Sequence, residues 1–407
     1  MNEVIEVHVE FCGETHLVGH LRYLSKAHRK SSLFEYTDSW LSNHKAFALD
    51  PANLQLTTRQ HYWTSEKTAL PGAIRDCAPD RWGRTLIRRA FKKIGPTRSL
   101  SELDYLLAIN DHTRVGALRF TRDGESDFCR NIGQRAVLPS ASLPALLNAA
   151  MAVQTNTEST EDLRLLLDEG SPLGGARPKS AVINSKGSLA IAKFPNPNDD
   201  YSIPHGEILA LMLADKAGIN AAKGSLQMVG SLPVALIQRF DRVREERIPF
   251  LSAMSLLGLQ DGDTATYTDI AECIRMYSIS PINDLHELWR RIAFGVMISN
   301  LDDHLRNHGF LYAGNNQWRL SPAYYLNPMP RYKKAREFTT WISEEGPEAD
   351  LELAYSAAPY FALKPDAAKS IVAEVALAVK SWHELALRLG MSKADMDIYE
   401  TAIFVKV

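Results

Sequence analysis

A chain of 407 residues with 45% hydrophobic and 23% charged residues can bury more than one core, because single cores stop growing at roughly 250–300 residues. Its formal net charge of −2 excludes a surface built throughout for nucleic acid, although a local basic face is compatible with it. No apolar run approaches the roughly 20 residues of a membrane helix, and Met1–Glu10 has neither the basic nor the apolar region of a secretory signal.

Ile5, Val7, Val9 and Phe11 alternate with Glu6, His8 and Glu10, which predicts a half-buried strand, with Gly13 marking a turn. The run Asp80–Lys93 predicts an amphipathic helix with Trp82, Leu86, Ile87 and Ala90 on one face and Arg and Lys on the other. That basic face reads either as a contact for phosphate or an acidic partner, or as a solvated helix face. Composition shifts around Leu138-Pro139-Ser140, and an Ala/Leu-rich helix starts near Leu143. A glycine-containing loop, a strand over 188–194 and a helix over 205–217, stopped by Gly218, follow. Beyond Asp241-Arg242 the chain reads as mostly helical. Its last long helix starts near Asp366, buries Ile371, Val375, Val379, Trp382 and Leu385, and ends at Gly390. The expected division is an α+β unit over 1–140, a strand-rich unit with the glycine loop over 141–242 and a helical unit over 243–407. Cys12, Cys77, Cys129 and Cys273 form no CxxC pair, which suits a reducing cytoplasm.

The segment Ser299–Asn307 carries the most chemistry. Phosphoryl transfer needs a carboxylate to accept the proton of the attacking hydroxyl and oxygen ligands for Mg²⁺. Asp302 and Asn307 have the Asp-x4-Asn spacing with which kinases supply a base and a metal ligand. Asp303 and His304 then stand ready to orient the loop or touch phosphates. The same segment also reads as a polar helix-capping loop, or, through His304 and His308 at i,i+4, as half of a zinc site lacking its glutamate and third ligand. In Ser171–Ser180, Gly174, Gly175 and Ala176 allow backbone N–H groups to approach phosphates, with Lys179 adding a point charge; a plain turn is the alternative. Lys193 closes the following strand, where a lysine reaches the α- and β-phosphates of a nucleotide. Glu207 is its candidate partner, or else a first-turn acid complementing the helix dipole.

The order of glycine loop, strand lysine, helical glutamate and Asp-x4-Asn resembles the HipA family, kinase toxins of bacterial type II toxin–antitoxin pairs, over essentially the whole chain. The likeness rests also on Val18-Gly19, Trp40-Leu41, Asp76 with Pro79–Arg84, Val115–Phe120, Arg239–Arg242 and Leu320–Pro328. It implies an α+β, protein-kinase-like two-lobed fold with an extra α+β amino-terminal subdomain and a mostly helical carboxy-terminal lobe. It further implies a cytoplasmic Ser/Thr protein kinase using ATP and Mg²⁺, and a HipB-like DNA-binding antitoxin that contacts operator DNA. An aminoacyl-tRNA synthetase is the implied substrate. Carried over by motif, Asp302 is the base and Asn307 a metal ligand. Gly174, Gly175, Ala176, Lys179, Lys193 and His304 serve the phosphates, and Gln238 and Phe240 the adenine. Asp303 and Glu207 are supporting residues. Ser171 occupies the place where some relatives autophosphorylate, a modification that ejects the loop.

One position breaks the pattern. The family segment reads approximately S-P-A-Y-D-L-N-P, its Asp being the second Mg²⁺ ligand, whereas Tyr325 stands there in Ser321–Pro328. A neutral phenol with a pKa near 10 does not replace a carboxylate as a hard ligand at neutral pH. Phosphotransfer is therefore expected to be greatly reduced or absent. Asp and Tyr codons differ by one base, and the retained base and loop favour an acquired inactivation over a native pseudokinase that binds an antitoxin as corepressor. A kinase acting on a small molecule is the remaining alternative, since motif chemistry is shared.

Overall fold

The computed structural model describes residues 2–26, 29–65, 68–94, 99–125, 127–128, 142–169 and 175–405. The chain folds into two compact units, one of residues 1–197 with 241–251 and one of 198–240 with 252–407.

The first unit opens with β1 (Asn2–Phe11), β2 (Glu14–Lys26), β3 (Arg29–Tyr36), helix α1 (Asp38–Leu41) and β4 (His61–Ser65). Then come α2 (Gly72–Arg75), α3 (Arg81–Ile94), α4 (Glu102–Leu107) and β5 (Leu118–Arg122). The five strands form one antiparallel sheet in the order β4-β3-β2-β1-β5. Alternation in β1 does what the pattern predicts: Ile5, Val7 and Val9 are fully buried, and Glu6 and His8 lie on the other face. Gly19 sits where β2 passes closest to β3, so that a Cβ there would run into the Phe34 ring and the Glu35 carbonyl.

The predicted basic helix is α3, with Trp82, Leu86 and Ile87 buried. Its charged face turns out to have acidic partners inside the same unit. Arg84 forms a two-point bond to Glu102 at 2.9 and 2.7 Å, and Arg89 bonds Glu158 at 2.8 Å. The unit continues through α5 (Leu143–Thr155), α6 (Thr160–Arg164) and a hairpin of β6 (Lys179–Ile183) and β7 (Leu189–Lys193).

The chain then enters the second unit for α7 (Ile203–Lys216) and the hairpin β8 (Gly224–Val229) and β9 (Leu232–Gln238). It returns to the first unit for a two-residue hairpin, β10 (Arg242–Val243) and β11 (Glu246–Arg247). That excursion is anchored by charge. The Asp241 carboxylate accepts from Gly116 N at 2.7 Å and from Arg242 at 2.9 Å, while Arg242 donates to the Gly116 and Arg114 carbonyls at 2.9 and 2.6 Å. Arg114 and Gly116, and Asp241 and Arg242, far apart in sequence, are thus bonded within one unit.

After β12 (Phe250–Ser252) come α8 (Ala253–Leu256), α9 (Tyr267–Tyr277) and α10 (Pro281–Ile298). In α10, Leu285, Leu288, Trp289, Ile292 and Val296 are each at most 1% exposed. The hairpin β13 (Gly309–Gly314) and β14 (Gln317–Leu320) and the helix α11 (Leu351–Ala357) follow. The last long helix expected from near Asp366 to Gly390 is instead two, α12 (Pro365–Val379) and α13 (Trp382–Arg388), before α14 (Lys393–Tyr399). Ser381 makes the break: its hydroxyl donates to the Ala378 carbonyl at 2.7 Å, a local side-chain bond that competes with the helix ladder. Both apolar segments are still buried, Val375 and Val379 before the break, Trp382 and Leu385 after it.

Candidate active site

In the second unit, helix α10 ends at Ser299, which takes a left-handed backbone (φ 51°), a stop more often made by glycine. The Ser299 hydroxyl donates to the Ala402 carbonyl at 2.7 Å, and Asn300 N reaches back to Gly295 O at 2.9 Å. The loop that follows closes on itself. His304 N donates to Asp302 O at 3.1 Å, and the Asn307 side-chain amide donates to the same carbonyl at 3.1 Å. The Asp-x4-Asn spacing is therefore the span of a loop whose last side chain buttresses its first residue. With Nδ2 so engaged, the atom Asn307 can offer to a cation is its amide oxygen.

The two adjacent aspartates are sorted by burial. Asp302 is exposed. Asp303 is only 6% exposed. Its carboxylate accepts from the Tyr267 hydroxyl and lies 3.3 Å from His308 Nε2; the Tyr267 and His308 rings meet edge to face at 5.2 Å. Burial pushes the Asp303 carboxyl up, but His308 and the Tyr267 hydrogen bond outweigh it and hold the group below its ordinary range. Burial, with Asp303 alongside, drives the Tyr267 phenol well above its usual value, so it stays a donor. Asp303 orients the loop from within. His308 Nε2 faces that carboxylate at 3.3 Å, and among the described residues no group of three or more His, Cys, Asp or Glu side chains is placed to hold a metal ion.

The segment containing Tyr325 is fixed on both sides. Ala323 exchanges backbone bonds with Asn220 and Ala222 at 2.7 and 2.9 Å. Tyr324 donates its hydroxyl to Arg306 O at 2.7 Å and packs its ring 5.2 Å from Phe240. Asn327 N donates to Asn300 Oδ1 at 2.8 Å. Tyr325 is thereby held between two residues tied to the 300–307 loop, with a left-handed backbone at φ 55°. That conformation costs most residues roughly 1–2 kcal/mol and is entered most readily by glycine, asparagine and aspartate. Of the two residues assigned to adenine, Phe240 is in this aromatic group and Gln238 is exposed at the end of β9, its N bonded to Lys223 O at 2.8 Å. Glu207 is the fifth residue of α7 and 2% exposed, so it is no first-turn surface acid. His304 is half-buried, its Nδ1 without a hydrogen-bond partner among the described residues.

In the first unit, Ser171 and Gly174 lie outside the described residues. Gly175 has a positive φ of 95°, which its lack of a Cβ permits, and Ala176 is exposed. Lys179 and Lys193 are register partners on β6 and β7, so their side chains share one face of the hairpin. They are 1% and 8% exposed. The sequence reading missed what holds this stretch: Asp80 Oδ2 accepts from Gly175 N at 2.6 Å, and the Trp82 indole donates to Lys179 O at 3.0 Å. Both residues stand in the Pro79–Arg84 motif, which as a sequence reads only as a helix start.

Comparison with known proteins gives the family and the fold. The chain has the fold of HipA: it resembles the HipA of Shewanella oneidensis MR-1, solved with HipB and operator DNA, with a TM-score of 0.70 at 16% identity over 97% of this chain and 94% of that one. Residues 171–383 match the HipA-like C-terminal domain and residues 10–121 the HipA N-terminal domain, and the chain belongs to the HipA family. A putative kinase of Haemophilus influenzae is 23% identical over 180 residues, 38% of this chain and 52% of the relative, so that this chain spans about half of its length. The putative kinase Y4mE of Sinorhizobium fredii is 23% identical over 331 residues, 72% of this chain and 71% of that protein.

Proposed function

We propose that this protein is an ATP-dependent Ser/Thr protein kinase of HipA type whose phosphotransfer is disabled at Tyr325. One observation carries the reading: an exposed Asp302 on a loop closed by Asn307 lies beside a segment whose backbone suits aspartate and bears tyrosine. ATP, when bound, supplies the phosphoryl group. Lys179 and Lys193 offer it two positive heads on one hairpin face, and by family the glycine loop of Gly174, Gly175 and Ala176 completes the phosphate contacts, with the Gly175 N–H itself held by Asp80. By family, Gln238 and Phe240 are assigned to the adenine, His304 to the phosphates and Glu207 to a supporting role. In an active form Asp302 would accept the proton of the substrate hydroxyl as the hydroxyl oxygen bonds to the γ-phosphorus of ATP and the bond from that phosphorus to the β-phosphate oxygen breaks, releasing ADP.

The residues present do not suit Mg²⁺. It needs near-octahedral oxygen ligands and favours carboxylates, and here an amide oxygen and a neutral phenol stand in the places of the pair. Loss of the second ligand, in an otherwise complete set, fits an acquired inactivation. By family, the partners are a HipB-like antitoxin and, mainly through it, operator DNA; the Shewanella relative was solved with both. The substrate class proposed from the family is an aminoacyl-tRNA synthetase in the cytoplasm, with Ser171 as the autophosphorylation position.

The test is transfer from labelled ATP with Mg²⁺ and a bacterial lysate, comparing the protein with its Tyr325→Asp variant. Label on Ser171 or on one lysate protein with the variant alone is the expected result. Adding Asp302→Asn to the variant then lowers transfer by about 10²-fold or more. Silence from a folded Tyr325→Asp variant that binds ATP would favour the second reading, which the missing carboxylate supports: a pseudokinase acting as antitoxin-binding corepressor. Label on small molecules only would point to a small-molecule kinase.

A further inference from the structure

We infer that Asp80 and Trp82, at the start of α3 in the amino-terminal domain, are positioning residues for nucleotide binding: they clamp the glycine loop in its binding shape. The inference rests on the reading of that loop as the phosphate holder.

Three bonds make the clamp, all to backbone atoms and spanning both ends of residues 175–179. Asp80 Oδ2 accepts from Gly175 N at 2.6 Å, a short charge-assisted bond. Trp82 N donates to Gly175 O at 3.1 Å. The Trp82 indole donates to Lys179 O at 3.0 Å, at the residue whose side chain shares a hairpin face with that of Lys193. Gly175 is thus gripped at its N–H and its carbonyl by two residues almost a hundred positions earlier, while its own φ of 95° leaves it unable to hold that shape by local preference. Trp82 is a rigid post, 5% exposed at the head of a helix whose Leu86 and Ile87 are buried. A loop that recognises phosphate through backbone N–H groups gains affinity when its shape exists before the ligand arrives, because the ordering cost is met on folding. Neither carbonyl bond competes with a phosphate, since phosphate takes donors. The Asp80 bond occupies the Gly175 N–H and fixes the backbone at that residue.

The measurement is the Kd for ATP by calorimetry on the full chain and on its Asp80→Ala and Trp82→Phe variants, with each melting midpoint and the hydrogen exchange of Gly175 N. Each variant is expected to bind ATP about 5- to 10-fold more weakly, the net worth of one such bond. Asp80→Ala also frees Gly175 N to exchange. A purely structural role would lower the melting midpoint and leave the Kd of the folded protein unchanged, and that result overturns the clamp. Tighter binding by Asp80→Ala overturns it too, because Asp80 would then be a carboxylate that phosphate must displace. If the parent chain binds no ATP, the kinase reading fails first and the clamp with it; if the parent binds and the variants match it, the clamp alone is wrong.

Discussion

Tyr325 is where chemistry and backbone disagree. Its left-handed φ of 55° is set by its neighbours, because Tyr324 is tied to Arg306 O and Asn327 to Asn300 Oδ1. The side chain therefore has to accept the conformation it is given. Tyr325→Asp and Tyr325→Asn are both expected to stabilise the protein, by up to about 1 kcal/mol, read as a rise in the denaturation midpoint at constant slope. Asn matches Asp in backbone preference and lacks its charge, so only Tyr325→Asp should also restore transfer. Equal or lower stability in both variants would mean that aromatic packing against Tyr324, at 5.6 Å, outweighs the strain. The tyrosine at this position stands out in the sequence because the residues around it, Ser321–Tyr324 and Leu326–Pro328, keep the family pattern. The strained backbone was not, since φ here is imposed by bonds to residues about twenty to thirty positions away.

Helix α7, which carries Glu207, shows how an element is placed by one small residue. A Cβ on Gly206 would fall within the Tyr399 phenol, whose hydroxyl donates to Ser202 O at 2.9 Å. The helix start and α14 are in contact there with no room between them. Gly206→Ala should cost about 1–3 kcal/mol in a chemical denaturation curve, the usual range for overpacking, and should shift Glu207 on the next residue. An unchanged midpoint would show that Tyr399 swings away freely. The periodicity near His205 predicts this helix to within two residues of its ends, but the partner that makes Gly206 necessary lies almost two hundred residues later. The same limit governs α3. Its amphipathic face was readable, whereas the pairing of Arg84 with Glu102 and Arg89 with Glu158 depended on where α4 and α6 came to rest. The expected long terminal helix failed for a local reason, the Ser381 hydroxyl bond to Ala378 O, which hydrophobic period alone does not register.

The two units are not consecutive stretches of chain, since 241–251 leaves the second to join the first. The charges that anchor it are buried: the Asp111 side chain is fully buried and Arg247 nearly so, and they meet at 3.1 Å with Arg119 at 2.6 Å on the same carboxylate oxygen. Burial alone would raise the Asp111 carboxyl, but Arg247 and Arg119 hold it below its ordinary 3.8. Because the folded value is the lower one, this stabilisation is complete above about pH 4 and drains away as pH falls through the folded value. Asp111→Ala should remove up to about 3–5 kcal/mol at neutral pH by leaving the buried Arg247 and its neighbour Arg119 to share Glu10 as a carboxylate partner, and should flatten the acid limb of a stability–pH curve. A full acid limb in that variant would assign acid sensitivity to other carboxylates. Sequence alone determined the family, the order of the motifs, the strand and helix faces and the presence of a tyrosine at position 325, because these depend on residue type and short spacing. Tertiary structure alone decided that Asp302 is exposed and Asp303 buried, that Asp80 and Trp82 reach Gly175 and Lys179, and that Asp241 binds Gly116. Each of those depends on which distant backbone atoms remain to be hydrogen-bonded once the core has closed.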